Sequence, residues 1–220
     1  MALNFMETNG SAAKSKVDLY EYKDGENSVR LVGGVLPRYV YWLPGTNGKD
    51  VPAECLSFDR SKERFTNVEK DHVLDYFPKD KQGKDNRPQW AYTVMCIDPK
   101  DGKVKPLPLK KKLFQNIIEL AKDLGADPTD PDTGFDIVFR RAKTGPLPFN
   151  VEYTLAQMKC KQRPLTEEER AAVAEAKTID EIYPRPTPEE IKGLMEKLTS
   201  GGGDSDNSDS GVDKEAAADL

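Results

Sequence analysis

The chain is short of the residues that reactive chemistry depends on. It holds one histidine, His72, and three cysteines, Cys55, Cys96 and Cys160, set far apart with no CxxC pair. Zinc spacing is therefore absent, and an odd, scattered set of thiols argues for free cysteines in a reducing compartment over a disulfide framework. No P-loop and no GxGxxG occurs, Gly33-Gly34 is not a phosphate loop, and no serine has the histidine and aspartate context of a hydrolase. No run of about 18 apolar residues exists, so no membrane span is expected. The opening residues, MALNFMETNGSAAKSK, lack the basic and then apolar pattern of a signal peptide. The aspartates Asp127, Asp130, Asp132 and Asp136 faintly suggest a calcium loop, but the glycine is misplaced and no bidentate glutamate follows. Turn formation is the expected role of these Asp-Pro repeats. No metal, no cofactor and no catalysis is expected.

Charge is present in both signs, but it is unevenly divided. Residues 201–220 carry Asp204, Asp206, Asp209, Asp213, Glu215 and Asp219 against Lys214, a net of −5. Removing them from the totals of 33 Lys and Arg and 38 Asp and Glu leaves 32 of each in residues 1–200. The acidic balance thus belongs to the tail, and it does not argue against a polyanionic partner for the rest.

The clearest local pattern runs from Trp90 to Leu124. WAYTVMCI is apolar and β-branched, as a strand needs. Asp98-Pro99-Lys100-Asp101-Gly102 is a turn, since Pro presets φ and Gly supplies φ > 0. A second strand follows, and then Leu113, Phe114, Ile117, Ile118, Ala121 and Leu124 recur at helical spacing, with Gly125 as the C′ residue. Three lysines, Lys110 to Lys112, open this helix where the macrodipole favours acids, a conflict that a docked phosphate would remove.

Around this stretch lie further strand-like runs: Ser28–Leu36 with a bend at Gly33-Gly34, Arg38–Leu43, Pro52–Phe58, Phe135–Ala142 and Phe149–Met158. Residues 60–89 read as a charged insertion with one helix near Val68–Phe77. Capping boxes at Thr166/Glu169 and Thr187/Glu190 open two helices. The expected class is mainly β with peripheral helices, built on a small, partly open antiparallel barrel. Residues 1–16 form an arm, 17–160 the core and 161–200 a helical segment, and 201–220 are a disordered acidic tail.

Candidate ligand contacts combine aromatics and cations within the strand-rich part. Tyr39, Tyr41, Trp42, Trp90, Tyr92, Phe149 and Tyr153 are interleaved with Arg30, Arg38, Lys110, Lys111, Lys112, Arg140, Arg141 and Lys143. Single-strand binders need both types: bases stack on rings for about 1–3 kcal/mol each while cations track the backbone.

Several of these residues carry a resemblance. WAYTVMCIDP, then Gly102-Lys103-Val104, then LKKKLFQNI, then a Pro/Asp/Gly-rich link into FDIVFRRAKTG and a Tyr-bearing segment, resemble the T-even-type bacteriophage single-stranded DNA-binding proteins. ENSVRLVGG, with Arg30, is similar to that family's early strand, and the tail ending in Asp219 and Leu220 to its acidic, Leu-terminated tail. The resemblance implies a five-stranded OB-fold with insertions and C-terminal helices, acting on single-stranded DNA in replication, recombination and repair. It also implies a tail that regulates binding and recruits phage replication and recombination proteins. The setting would be the cytoplasm of the infected bacterial host, with a chain that is monomeric in solution and associates along DNA. Two features depart from the family: residues 55–88 lack its Cys/His zinc ligands, and its N-terminal basic patch is reduced to Lys14-Ser15-Lys16. From another class, a protein-interaction adaptor would use the C-terminal helices and tail, and a metal nuclease would use the aspartate cluster.

The charge division generates a prediction. A −5 tail beside a neutral core competes with DNA, so deleting residues 201–220 is expected to raise single-strand affinity and change its salt dependence. Titration of both forms at several salt concentrations checks this, and unchanged affinity and slope would refute it.

Overall fold

The computed structural model describes residues 17–45, 48–67, 69–147 and 150–200; the N-terminal arm, Phe149 and the acidic tail lie outside them. Its centre is a five-stranded, wholly antiparallel sheet in the order β10-β9-β1-β7-β8. The strands are β1 (Gly25–Leu36), β7 (Thr93–Ile97), β8 (Val104–Pro108), β9 (Asp136–Lys143) and β10 (Val151–Leu155). The β1–β7 register slips between Val32 and Val35, where Gly33 takes φ 68°. That is the bend expected of the glycine pair, made cheap because glycine enters the left-handed region without a Cβ clash.

The β7–β8 hairpin and the following helix form as their residues dictate. The turn closes with the Gly102 amide donating to the Asp98 carbonyl at 2.9 Å, and Gly102 sits at φ 69°. Helix α2 (Lys111–Leu124) buries Leu113, Ile117 and Leu120 and ends on Gly125 in the left-handed conformation. It lies against β10.

Strands β8 and β10 are the two sheet edges, so the sheet does not close into a barrel. The extended segment before β1 lies along the β8 edge. The Tyr20 amide donates to the Pro106 carbonyl at 3.0 Å and the Tyr22 hydroxyl to the Pro108 carbonyl at 2.7 Å. The Tyr22 ring meets Tyr153 at 5.2 Å and Phe139 at 5.7 Å, joining the two edges by side chains.

The segment between β1 and β7 is a small second sheet, in the order β3-β2-β6, of β2 (Tyr39–Pro44), β3 (Asp50–Glu54) and β6 (Gln89–Trp90). It also carries the hairpin of β4 (Phe58–Asp59) and β5 (Arg64–Phe65) and the four-residue helix α1 (Val73–Tyr76), shorter than the helix expected there. Beyond β10, a 3-10 turn at Gln157–Lys159 shortens the expected last strand. Then come α3 (Glu167–Glu175), α4 (Ile179–Ile182) and α5 (Pro188–Thr199), each opened by a complete capping box. The third box, Thr178 with Glu181, opens the short α4 that the sequence reading passed over.

These helices are built into two cores. Leu165, Ile179 and Tyr183 pack with Val32, Leu36, Met95 and Ile97, while Ile191, Met195 and Leu198 of α5 pack with Tyr41, Leu43, Val51 and Phe58. Polar ties support the docking: Arg60 donates to the Tyr183 carbonyl at 3.1 Å, and Arg163 bridges Asp136 of β9 and Glu169 of α3 at 2.7 Å each.

A buried charge cluster fixes the β7–β8 turn. The Lys105 ammonium lies 2.9 Å from Asp98 and 2.8 Å from Asp101, with Asp18 at 3.8 Å. Burial alone would raise the Asp98 carboxyl, but the Lys100 amide and the Lys105 ammonium hold it below the ordinary carboxylate range. Asp101 is likewise held low, chiefly by Lys105. A depressed carboxyl stabilises the fold above its unfolded pKa of about 4 and loses that contribution as pH falls through the folded value. Stability should therefore decline below about pH 4. Lys105→Met should be less stable than the parent at neutral pH, with a smaller loss on acidification, as followed by denaturant midpoints across pH.

Candidate nucleic-acid interface

The structure separates the aromatic and cationic candidates into those that build the interior and those that meet solvent. Arg30, Arg38, Tyr41, Trp90, Tyr92, Lys110 and Tyr153 are buried. Arg30 donates to the Asp130 carbonyl at 2.6 Å, holding the 127–134 turn against β1, and its burial disfavours the charged form while Asp136 opposes that shift. Gly134 is required there, because a Cβ would lie 2.7 Å from that guanidinium. Arg38 stacks on the Tyr183 ring at 4.2 Å, and Tyr41 faces the second core. Lys110 is wholly enclosed, its ammonium 5.3 Å from the Tyr22 ring and 5.7 Å from the Tyr153 ring.

Two expectations change with this placement. The three lysines at the start of α2 are not one surface cluster, since Lys110 is a core residue while Lys111 is half-buried and Lys112 exposed. Trp90, expected to offer a stacking face, is 5% exposed and lies nearly parallel to Tyr92, with ring centroids 4.6 Å apart. Its large apolar surface is spent on the core, so it backs the surface and does not form it.

The remaining candidates are accessible to different degrees. Lys112 pairs with Glu152 at 3.6 Å, and Lys143 lies 3.6 Å from Asp24. Arg141 pairs with Asp24 and donates to the Tyr153 hydroxyl at 3.2 Å, so its side chain is largely covered. Arg140 is exposed beside Glu26 and Thr154, on the face of β9 opposite Phe139 and Arg141, because strand side chains alternate. Trp42 is half-buried on the face of β2 opposite Tyr41. Tyr39 is half-buried and turns towards the β4–β5 hairpin.

Tyr39 belongs to an aromatic ridge that the sequence reading did not assemble. Its ring centroid lies 4.7 Å from Phe58 and 5.0 Å from Phe65, with Phe58 and Phe65 5.3 Å apart. Phe65 is 50% exposed, and Lys62 and Arg64 are exposed on the same hairpin. Glu63, at φ 47°, comes within 3.5 Å of the Tyr92 hydroxyl and so ties the hairpin to the main body. Burial, reinforced by the Glu63 carboxylate, raises the phenols of Tyr39 and Tyr92 above their usual range, keeping both as neutral donors. Tyr92 and Trp90 in turn touch Phe114 of α2, at 5.9 and 6.0 Å, one turn beyond Lys111. The aromatic ridge thus has an exposed ring at Phe65 and half-buried rings at Tyr39 and Phe114, carried on the buried Trp90 and Tyr92, Tyr39 pairing with Trp90 between β2 and β6, with cations at both ends. Interleaved aromatic and basic residues in KERF were the available signal for Phe65.

The other candidate chemistry resolves as structure. Asp127 accepts from the Thr129 amide at 2.8 Å, and Asp130 from the amides of Asp132 and Thr133 at 2.8 and 2.7 Å, both as turn formers. Among the described residues no three His, Cys, Asp or Glu side chains converge as a metal site. All three cysteines are buried, and burial pushes the Cys55 thiol up to about 11.

Fold and surface together define a mainly β protein with a cation-flanked aromatic ridge, a surface suited to binding. No family model matches the chain. It is 31% identical, over 262 aligned positions covering all of this chain and 99% of the other, to the "Probable ssDNA-binding protein" of Escherichia phage T5. The chain belongs to the family of that phage protein.

The core assignment of Trp90 is testable by stability. Trp90→Ala is expected to cost about 3–5 kcal/mol of folding free energy, the range for truncating a buried aromatic. A Trp90→Ala protein with an unchanged denaturant midpoint would return Trp90 to the surface.

Proposed function

We propose that this chain is a bacteriophage single-stranded DNA-binding protein that holds DNA without sequence preference and catalyses no reaction. The observation that carries this reading is the ridge from Phe65 to Phe114 with Lys62 and Arg64 at one end and Lys111 and Lys112 at the other. Stacking on exposed rings is blind to base identity because every base has a π face, and lysine and arginine contacts to phosphates release counterions. Family membership with a phage protein named for single-strand binding supports the same conclusion.

The order β10-β9-β1-β7-β8, with a helix between β8 and β9, supports an OB-type barrel opened between β8 and β10. In that reading the second sheet and the β4–β5 hairpin are an elaborated loop between the first two barrel strands. Lys143, the last residue of β9, stands at the start of the β9–β10 connection, the other loop that such folds use for ligands. The likeness to T-even-type proteins, the roles in replication, recombination and repair, recruitment of partners by the acidic tail, and residence in the infected host cytoplasm complete the proposal. The adaptor alternative loses the apolar sides of α4 and α5, which are packed into two cores, while α3 buries no residue.

Phe65→Ala is the test. It is expected to weaken oligo-dT binding by about 1–3 kcal/mol while leaving the unfolding midpoint nearly in place, since the ring is half-exposed. Unaltered affinity in fluorescence-anisotropy titrations would remove the ridge from the interface.

A further inference from the structure

The hairpin that carries Phe65 is too small to hold its own position. Strands β4 and β5 have two residues each, and no third strand joins them among the described residues. An isolated two-stranded hairpin is marginal in water at best, so its place is set from outside. Glu63, within 3.5 Å of the Tyr92 hydroxyl, is one tie. The others come from the link between α4 and α5.

In that link, Tyr183-Pro184-Arg185-Pro186, two prolines flank the arginine. Both have fixed φ, and Pro186 disfavours the helical region for Arg185, so the arginine stands on a stiff stretch. Its Nη2 donates to the Leu56 carbonyl at 2.9 Å and its Nη1 to the Phe58 carbonyl at 3.1 Å. Glu69 holds the other side of the fork, its carboxylate 2.7 Å from Nη2 and 3.1 Å from Nε. Phe58 is the register partner of Phe65. Arg60, in the hairpin's own turn, returns the contact. It donates to the Tyr183 carbonyl at 3.1 Å, while the Glu54 carboxylate accepts from its Nε and Nη2 at 2.7 and 2.6 Å.

Granted the role proposed for Phe65 in single-strand binding, on which this rests, we propose that Arg185 is a positioning residue: it holds the β4–β5 hairpin so that the Phe65 ring keeps its place beside Tyr39. All three of its nitrogens donate within the protein, so it acts on DNA through the hairpin and not by a phosphate contact of its own. The planar fork matters as much as the charge, because two carbonyls and a carboxylate need donors in fixed directions.

The test is the oligo-dT affinity of the parent chain and of Phe65→Ala, Arg185→Gln, the double variant and Glu69→Ala, each with its unfolding midpoint. Arg185→Gln should lower affinity by about fivefold or more, with the salt slope unchanged because no phosphate contact is lost. In the Phe65→Ala background the same substitution should have no further effect, since the ring it positions is gone. Glu69, whose side chain is 43% exposed, supplies a variant that folds even if Arg185→Gln does not. Glu69→Ala should also lower affinity, although removing an acid would by charge alone favour a polyanion. Parental affinity in Arg185→Gln, an equal loss with and without the Phe65 ring, a slope shallower by about 0.7, or a Glu69→Ala protein that binds as well as the parent would each overturn the proposal while leaving the ridge in place. Parental affinity in Phe65→Ala would instead remove the ridge, and this role of Arg185 with it.

Discussion

Strand β7 is covered on both faces at once, and the rest of the molecule is arranged to make that possible. Val94 and Cys96 point into the main core with Leu31, Ile137 and Phe139, while Met95 and Ile97 point the other way, against Val32, Leu36, Ile179 and Tyr183. A sheet with an interior strand that carries no polar face must be sandwiched, because each exposed apolar side chain would forfeit about 1.5–3 kcal/mol. One cover is supplied by α2 with the aromatic interior; the other is supplied by the chain after residue 161. The C-terminal helices are in this sense part of the sheet's solvation problem, and α5 solves the same problem for the second sheet.

This constraint also decides which cations can meet a ligand. A covered sheet encloses charged residues as well, so Arg30, Arg38 and Lys110 enter the interior, Arg30 bonding one carbonyl and Arg38 and Lys110 lying on aromatic faces, while Nε and Nη1 of Arg30 and Nε and Nη2 of Arg38 meet no hydrogen-bond partner among the described residues. The ridge gains from this. Trp90 and Tyr92, stacked and fixed, hold Phe114 and Tyr39 in place, and rigid aromatic supports let exposed rings bind with less ordering cost.

Legibility in the sequence followed how local each cause was. The β7–β8 hairpin, α2 with its Gly125 stop, the bend at Gly33 and the two predicted capping boxes depend on residues within a few positions of one another, and all were readable. The box at Thr178 obeys the same rule and was open to the same reading. In the second sheet β2 and β3 were readable as strand-like runs, but β6, like the hairpin strands β4 and β5, is two residues long and too short to show period-two alternation. Burial of Arg38 was out of reach for a different reason: its partner is Tyr183, and no local pattern links residues so far apart. Phe65 sits between these cases, since its basic neighbours were visible but its contact with Tyr39 is tertiary.

The central claim is that cations flanking an aromatic ridge hold a single DNA strand. The most direct measurement is the salt dependence of oligo-dT binding for the parent chain and for Lys111→Gln, with duplex DNA of equal length beside it. The account predicts preference for the single strand and a slope of log affinity against log salt that is shallower by about 0.7 in the variant, one released counterion fewer. Equal slopes in the two proteins, or equal affinity for duplex and single strand, would contradict it.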